Sequence, residues 1–279
     1  MKTVDNSTYS LMDALMARLF DPQKRDSAIL DLLSSLSKDP PEEGMTPEDI
    51  WRVPGLSLII IGLIAQSYRS MERVGDAAEC LPQLQSLLDL LVILSSSKAV
   101  AESFMDSSLV VALFPYFHLP HTPLSVQGSV LLICANIAQL ERGPSYLIEA
   151  EILPLILPLL AGKSSEGVYE CCCVLLHSLV SAVADNPSEF SKILPPDKLT
   201  ALTKLLIEVA TRIRSEDGKD WLVPRSSVRP LMLTIAALKG LTKMRHSPDV
   251  LDRLRRLSGS IRDLDVDISN ALKIILSSE

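Results

Sequence analysis

Histidine and cysteine are the residues of this chain best equipped for chemistry, and both are scarce: four His and five Cys in 279 residues. His118 and His121 form a His-x-x-His pair in "FHLPHTP". Metal binding or acid–base work at such a pair needs convergent carboxylates or thiolates. None stands nearby, and prolines break the stretch, which reads as a loop capping the end of an apolar helix. Cys171, Cys172 and Cys173 are adjacent in a helical pattern. Their side chains diverge by about 100° per residue and do not share one ion, so they read as small core residues. His177, four residues beyond Cys173, could form a Cys–His couple, but no third group orients it. There is no phosphate-cradling glycine-rich loop and no Gly-x-Ser-x-Gly elbow. The expectation is a protein with no catalytic site, no metal and no cofactor.

Binding is the remaining option. Trp221 sits in the polar stretch "GKDWLVPRSS", either as an exposed anchor or tucked against neighbouring helices. The net charge of −7 argues against broad nucleic-acid binding. Residues 243–262 run the other way, with six cations against Asp249 and Asp252. Within them Arg245, Arg253, Arg255 and Arg256 define a candidate nucleic-acid patch, the alternative being an ordinary solvated face.

Helices must position these groups. Hydrophobic residues make up 47% of the chain, but aromatics only 4%, so the apolar mass is aliphatic. With 11 Gly and 18 scattered Pro, that composition predicts many helices joined by short, proline-punctuated turns. Mean hydropathy is +0.26, so a membrane origin has to be tested. The longest apolar run, 55–65, is far short of the ~20 residues a spanning helix needs. The N-terminus is polar, and five Cys in an odd arrangement suit a reducing compartment. A cytoplasmic protein is expected, with the nucleus as a second site and no membrane partner. The surplus hydropathy then implies helices covered on several sides.

Ser7 reads as an N-cap ahead of Leu11, Leu15 and Leu19; Asp21 reads as a cap with Pro22 at the first helical position. Thr46-Pro47-Glu48 opens a short helix that Pro54 and Gly55 stop. Long helices are predicted at 55–70, 82–97, 123–140 and 164–183. The chain also repeats itself. Phe104, Met105, Asp106, Leu109 and Pro115 pair with Leu147, Ile148, Glu149, Ile152 and Pro158 at a constant offset of 43. A fainter third copy lies at 190–213. Periods of about 40–47 residues built from short and long helices mark armadillo and HEAT solenoids. The predicted fold is an all-α, right-handed solenoid of about six repeats, with 8–278 as one armadillo-type domain and 1–7 as a flexible N-terminus. Pro115 and Pro158 are expected to bend or end their runs and so hold the stack in register.

These stretches also resemble a known family. "FMDSSLVVALFPYFH" and "EILPLILPLLAGKSSEGVYECCCVLLHSLV" are similar to the cell-differentiation family of the Rcd-one or Caf-forty type, the armadillo-repeat subunit of the Ccr–Not mRNA deadenylation complex. "LMARLFDPQKRDSAILDLLSSLSK" resembles its opening repeat, and "IWRVPGLSLIIIGLIAQSY" its Trp-led second one, at Trp51. The order of motifs agrees over roughly 11–262. The resemblance implies a non-catalytic adaptor in mRNA decay, deadenylation and translational repression. Its partners would be a large Not-type scaffold subunit, short linear peptides of RNA-binding repressors and, weakly, nucleic acid. One wall of the implied peptide groove aligns with Trp51, Arg52, Pro54, Leu58 and Ala65, the other with Leu124 and Leu131. The family has His, Phe, Ala, Tyr and Gly where this chain has Arg52, Pro54, Leu58, Leu124 and Leu131. Each buried apolar anchor would be worth roughly 1.5–3 kcal/mol, so several changed positions can rewrite partner choice. Homodimerisation through an exposed helix face is compatible with the sequence.

Overall fold

The computed structural model describes residues 14, 17–19, 21, 23–36, 46–72, 77–119, 122–161, 166–185, 203, 204, 206, 231–237, 270, 271, 273 and 274. All regular structure among them is helical. Most of the third sequence copy lies outside them, as does the proposed cap at Ser7. The chain divides into two compact units, Met1–Gly143 and Pro144–Glu279.

The first unit contains α1 (Arg25–Leu36), α2 (Pro47–Trp51), α3 (Leu56–Glu72), α4 (Ala77–Ser95), α5 (Lys98–Asp106), α6 (Leu109–Leu113) and α7 (Leu124–Ala138). A 3-10 turn, Phe114–Phe117, follows α6. The long helix α4 is the hub, with α1, α3 and α7 all packed on it. That is why its leucines run almost unbroken: Leu84, Leu88, Leu91 and Leu94 are all fully covered. Helix α7 is covered in the same way through Val130, Leu131, Ile133 and Cys134. The second unit takes up the rest of α8 (Gly143–Glu149) after its first residue, then α9 (Ile152–Ala161) and α10 (Glu166–Asp185), with α9 packed on α10. The order is thus short helix, second helix and long helix, three times over.

The backbone repeats with the period of the sequence. Ser108 and Glu151, 43 residues apart, both adopt the left-handed conformation, with φ of 56° and 62°. Each stands one residue before the second helix of its triplet. The hydrogen bonds match too. Ser107 donates to the carbonyl of Ser103 and Ser108 to that of Met105; Ala150 donates to Tyr146 and Glu151 to Ile148, all at 2.9–3.1 Å. Two otherwise orphaned carbonyls at each helix end are thereby satisfied. Gly55, with φ of 83°, holds the corresponding place just ahead of α3. Between α8 and α9 the chain turns through 84°.

Local departures from the sequence reading have local causes. Pro115 ends α6 as expected, because the chain tightens into the 3-10 turn, where a missing amide costs nothing. Pro158 does not end its helix: α9 carries it internally, giving up one helical bond. Pro82 is likewise inside α4, which begins at Ala77 rather than 82. Asp21 caps a turn instead of a helix. Its carboxylate accepts from the Gln23 amide at 3.0 Å and its carbonyl from Lys24 at 3.0 Å, so α1 starts only at Arg25. Thr46 behaves as read, capping α2 by accepting from the Asp49 amide at 3.3 Å.

Two contacts lock the layers of the first unit. The buried Tyr116 hydroxyl donates to the Ile64 carbonyl at 2.8 Å, and its ring meets Tyr68 edge-on at 5.8 Å. At the far end, a Cβ on Gly143 would lie 1.8 Å from the Ile137 carbonyl oxygen, so only glycine fits there. Thermal unfolding of two variants checks this geometry. Gly143→Ala should lose roughly 1–3 kcal/mol through the backbone clash. Ser108→Gly should gain about 0.5 kcal/mol, because relief of left-handed strain exceeds the entropy cost of glycine.

Candidate functional site

The sequence-assigned groove residues divide by exposure. Trp51 closes the five-residue α2 and turns inward. Its Nε1 donates to Ser103 Oγ at 2.7 Å, and its ring leans on Phe104 with centroids 4.7 Å apart. A second latch joins the same helices: Ser97, the N-cap of α5, donates to Glu48. Arg52 is exposed and reaches Asp49 at 3.7 Å. Pro54 and Ala65 are exposed, and Leu58 is 74% exposed. Leu58 and Ala65 are seven residues apart on α3, on one helical face together with exposed Gly62. Leu124, at the open end of α7, is 43% exposed. Leu131, two turns further on, is fully buried and fills the core. Helix α3 packs on α4 and α6, and α7 on α4 and α5. Of the first wall, Arg52, Pro54, Leu58 and Ala65 therefore stand open while Trp51 is turned inward; of the second, only Leu124 reaches the surface.

A second surface was not assigned from sequence. Gln85 Nε2 donates from α4 to Asp89 Oδ1 at 2.7 Å and to Ser129 Oγ of α7 at 3.0 Å. Ser129 Oγ also reaches Asp89 Oδ1 at 3.5 Å. Two turns along, Asn136 Nδ2 donates to Ser95 Oγ at 2.8 Å and to the Val92 carbonyl at 3.4 Å. These bonds join α4 and α7 through a polar seam in which Ser95 and Ser129 are buried, with Leu132 43% exposed between its two halves. The clue in the sequence was polar residues at helical spacing inside apolar runs, as in "LQSLLDLL".

The chemically equipped residues are placed as follows. His118 caps the 3-10 turn, its amide donating to the Pro115 carbonyl at 3.0 Å; His121 lies outside the described residues. Cys172 and Cys173 are buried and Cys171 is half-buried. Burial, and then the neighbouring Glu170 carboxylate, push the Cys171 thiol up; burial pushes Cys134 up to about 12. Both therefore stay protonated and poorly nucleophilic at neutral pH. Among the described residues, no three His, Cys, Asp or Glu side chains converge on a point that could hold a metal ion. Nor is any single described helix long and apolar enough to cross a membrane. Trp221, Arg245, Arg253, Arg255 and Arg256 lie outside the described residues.

No family model matches the chain, and no curated protein matches it. Solved structures do. A computationally designed armadillo repeat protein for modular peptide recognition superposes with a TM-score of 0.66 at 15% identity, over 96% of this chain and 99% of that one. A designed armadillo repeat protein in complex with the peptide (KR)4 gives 0.63 at 16%, over 96% and 98%. An engineered protein gives 0.62 at 16%, over 96% and 95%. The fold is an all-α solenoid of the armadillo type.

Two measurements test these placements. Leu131→Ala should cost about 2–5 kcal/mol of stability, whereas Leu58→Ala should stay within about 0.5 kcal/mol of the parent. The Ser97 hydrogen bond, with help from the α2 backbone, holds the Glu48 carboxyl below its ordinary value of 4.5. A lowered folded value stabilises the fold above pH 4.5, and that stability fades as pH falls through the depressed folded value. Acid titration of Glu48→Gln should therefore show a shallower loss of stability below pH 4.5 than the parent.

Proposed function

We propose that the chain is a non-catalytic scaffold that holds short peptide segments of other proteins on its exposed helix faces. The observation that carries this reading is the open surface of an armadillo-type solenoid. In the first unit, Arg52, Pro54, Leu58, Ala65 and Leu124 present side chains to solvent without a structural duty to the core. The similarity to designed proteins of this fold, one solved with a bound peptide, supports it.

The finer assignment rests on sequence motifs alone. The ordered succession of "LMARLF", "IWRVPG", "FPYFH" and "EILPL" favours an adaptor of a Ccr–Not-like complex. It would dock on a large Not-type scaffold subunit and act in mRNA deadenylation, decay and translational repression, in the cytoplasm and, secondarily, the nucleus. The basic run 243–262 favours a second reading, direct nucleic-acid binding through Arg245, Arg253, Arg255 and Arg256.

Affinity capture of the tagged full chain from its native cell tests the first reading. Co-purification of a deadenylase and its scaffold subunit is expected, and recovery of neither removes the Ccr–Not assignment. For the second, binding to homopolymer oligonucleotides should fall steeply with salt. Absent or salt-independent binding removes it.

A further inference from the structure

We propose that Thr46 is a phosphorylation site for a proline-directed Ser/Thr protein kinase, with a nucleoside triphosphate as donor, and that the phosphate loosens α2 from α5. The inference stands independently of the scaffold reading above.

Among the described residues two threonines precede a proline, Thr46 and Thr122. Such a step suits phosphoryl transfer because proline fixes its own φ and holds the residue before it extended, with the hydroxyl standing off the chain. Thr46 meets that requirement, with φ of −75° and ψ of 154°, and it is exposed. Thr122 does not, because its Oγ1 is covered by neighbouring atoms. Access therefore singles out Thr46. In the transfer, Thr46 Oγ1 attacks the γ-phosphorus, and the new O–P bond forms as the bond from that phosphorus to the β-phosphate oxygen breaks. The nucleoside diphosphate leaves, and the hydroxyl proton passes to the kinase's general base.

The consequence follows from what the hydroxyl does now. It donates to Asp49 Oδ2 at 2.5 Å and accepts from the Asp49 amide at 3.3 Å. A phosphate ester has no proton to donate there, and it brings close to two negative charges. Asp49 then faces acceptors alone. Glu48 adds a second carboxylate in the same turn, kept ionised by its hydrogen bond from Ser97. Arg52 is exposed and already stands 3.7 Å from Asp49, one cation against two carboxylates and a dianion. Repulsion therefore exceeds the attraction of the helix start for an anion. With five residues, α2 is too short to persist alone. The Glu48–Ser97 and Trp51–Ser103 bonds hold it to α5, so loss of its first turn frees Glu48 and loosens Trp51.

Incubation of the full-length protein with ATP and a proline-directed kinase, followed by site mapping by mass spectrometry, tests the site. Phosphate is expected on Thr46 and not on Thr122, and Pro47→Ala should cut incorporation at Thr46 roughly tenfold. Thr46→Ser keeps both the cap and the acceptor and should behave as the parent does. Hydrogen exchange of the phosphorylated chain tests the switch. The amides of Ile50 and Arg52, which bond to the Thr46 and Glu48 carbonyls, should exchange roughly tenfold faster, and less so in phosphorylated Asp49→Asn. In Trp221→Phe, where Trp51 is the remaining tryptophan, emission should shift to the red on phosphorylation. No phosphate on Thr46, or as much on Thr122, overturns the site. Phosphorylation that leaves the Ile50 and Arg52 exchange unchanged overturns the switch. Both results leave the scaffold reading standing.

Discussion

A left-handed residue between the first and second helices of each triplet is the constraint on which the rest depends. Right-handed helices continue by default, and a chain of short helices needs something that makes each one stop and reverse. At Ser108 and Glu151 the stop is a backbone conformation reinforced by the same two hydrogen bonds. Neither residue is glycine, so the strain is borne by packing on either side, with Phe104 and Leu109 flanking one turn and Leu147 and Ile152 the other, all fully buried. Each such turn ends the first helix and starts the second, and between α8 and α9 it turns the chain through 84°.

Much of this was legible in the sequence because it is local. The Thr46-Pro47 start uses side-chain chemistry that acts within four residues, and the structure places it as read. The offset of 43 was visible because buried positions recur whenever a layer recurs. What the sequence misassigned was the device that keeps the register. Proline is conspicuous, and Pro115 and Pro158 share a phase, yet α9 runs through Pro158 while the left-handed turns keep step. A serine and a glutamate at positive φ carry no compositional flag. Pro82 misled in the same way, since a long, heavily buried helix absorbs one lost hydrogen bond.

The binding surfaces were less legible, for a physical reason. Leu58 and Leu131 are the same residue type, on helices of similar apolarity, and both align with groove positions. One is 74% exposed and the other 0%. The difference comes from which neighbours cover each helix, and that is set by contacts 40 to 60 residues away in the chain, such as Gln85 with Ser129 or Tyr116 with Ile64. Trp51 shows the converse: a large aromatic beside a solvent-facing loop, it is spent on Ser103 and Phe104 and ties two triplets together.

The paired turns also bear on how such a chain changes length over time. A break placed within the loop at Ser108 or Glu151 leaves the helices on both sides whole, and the bonds that close the loop come from residues immediately before it. The stretch from one turn to the next is therefore a natural cassette. Duplicating or deleting it keeps the two hydrogen bonds that close each turn, so the length of such a chain can change by one 43-residue layer at a time.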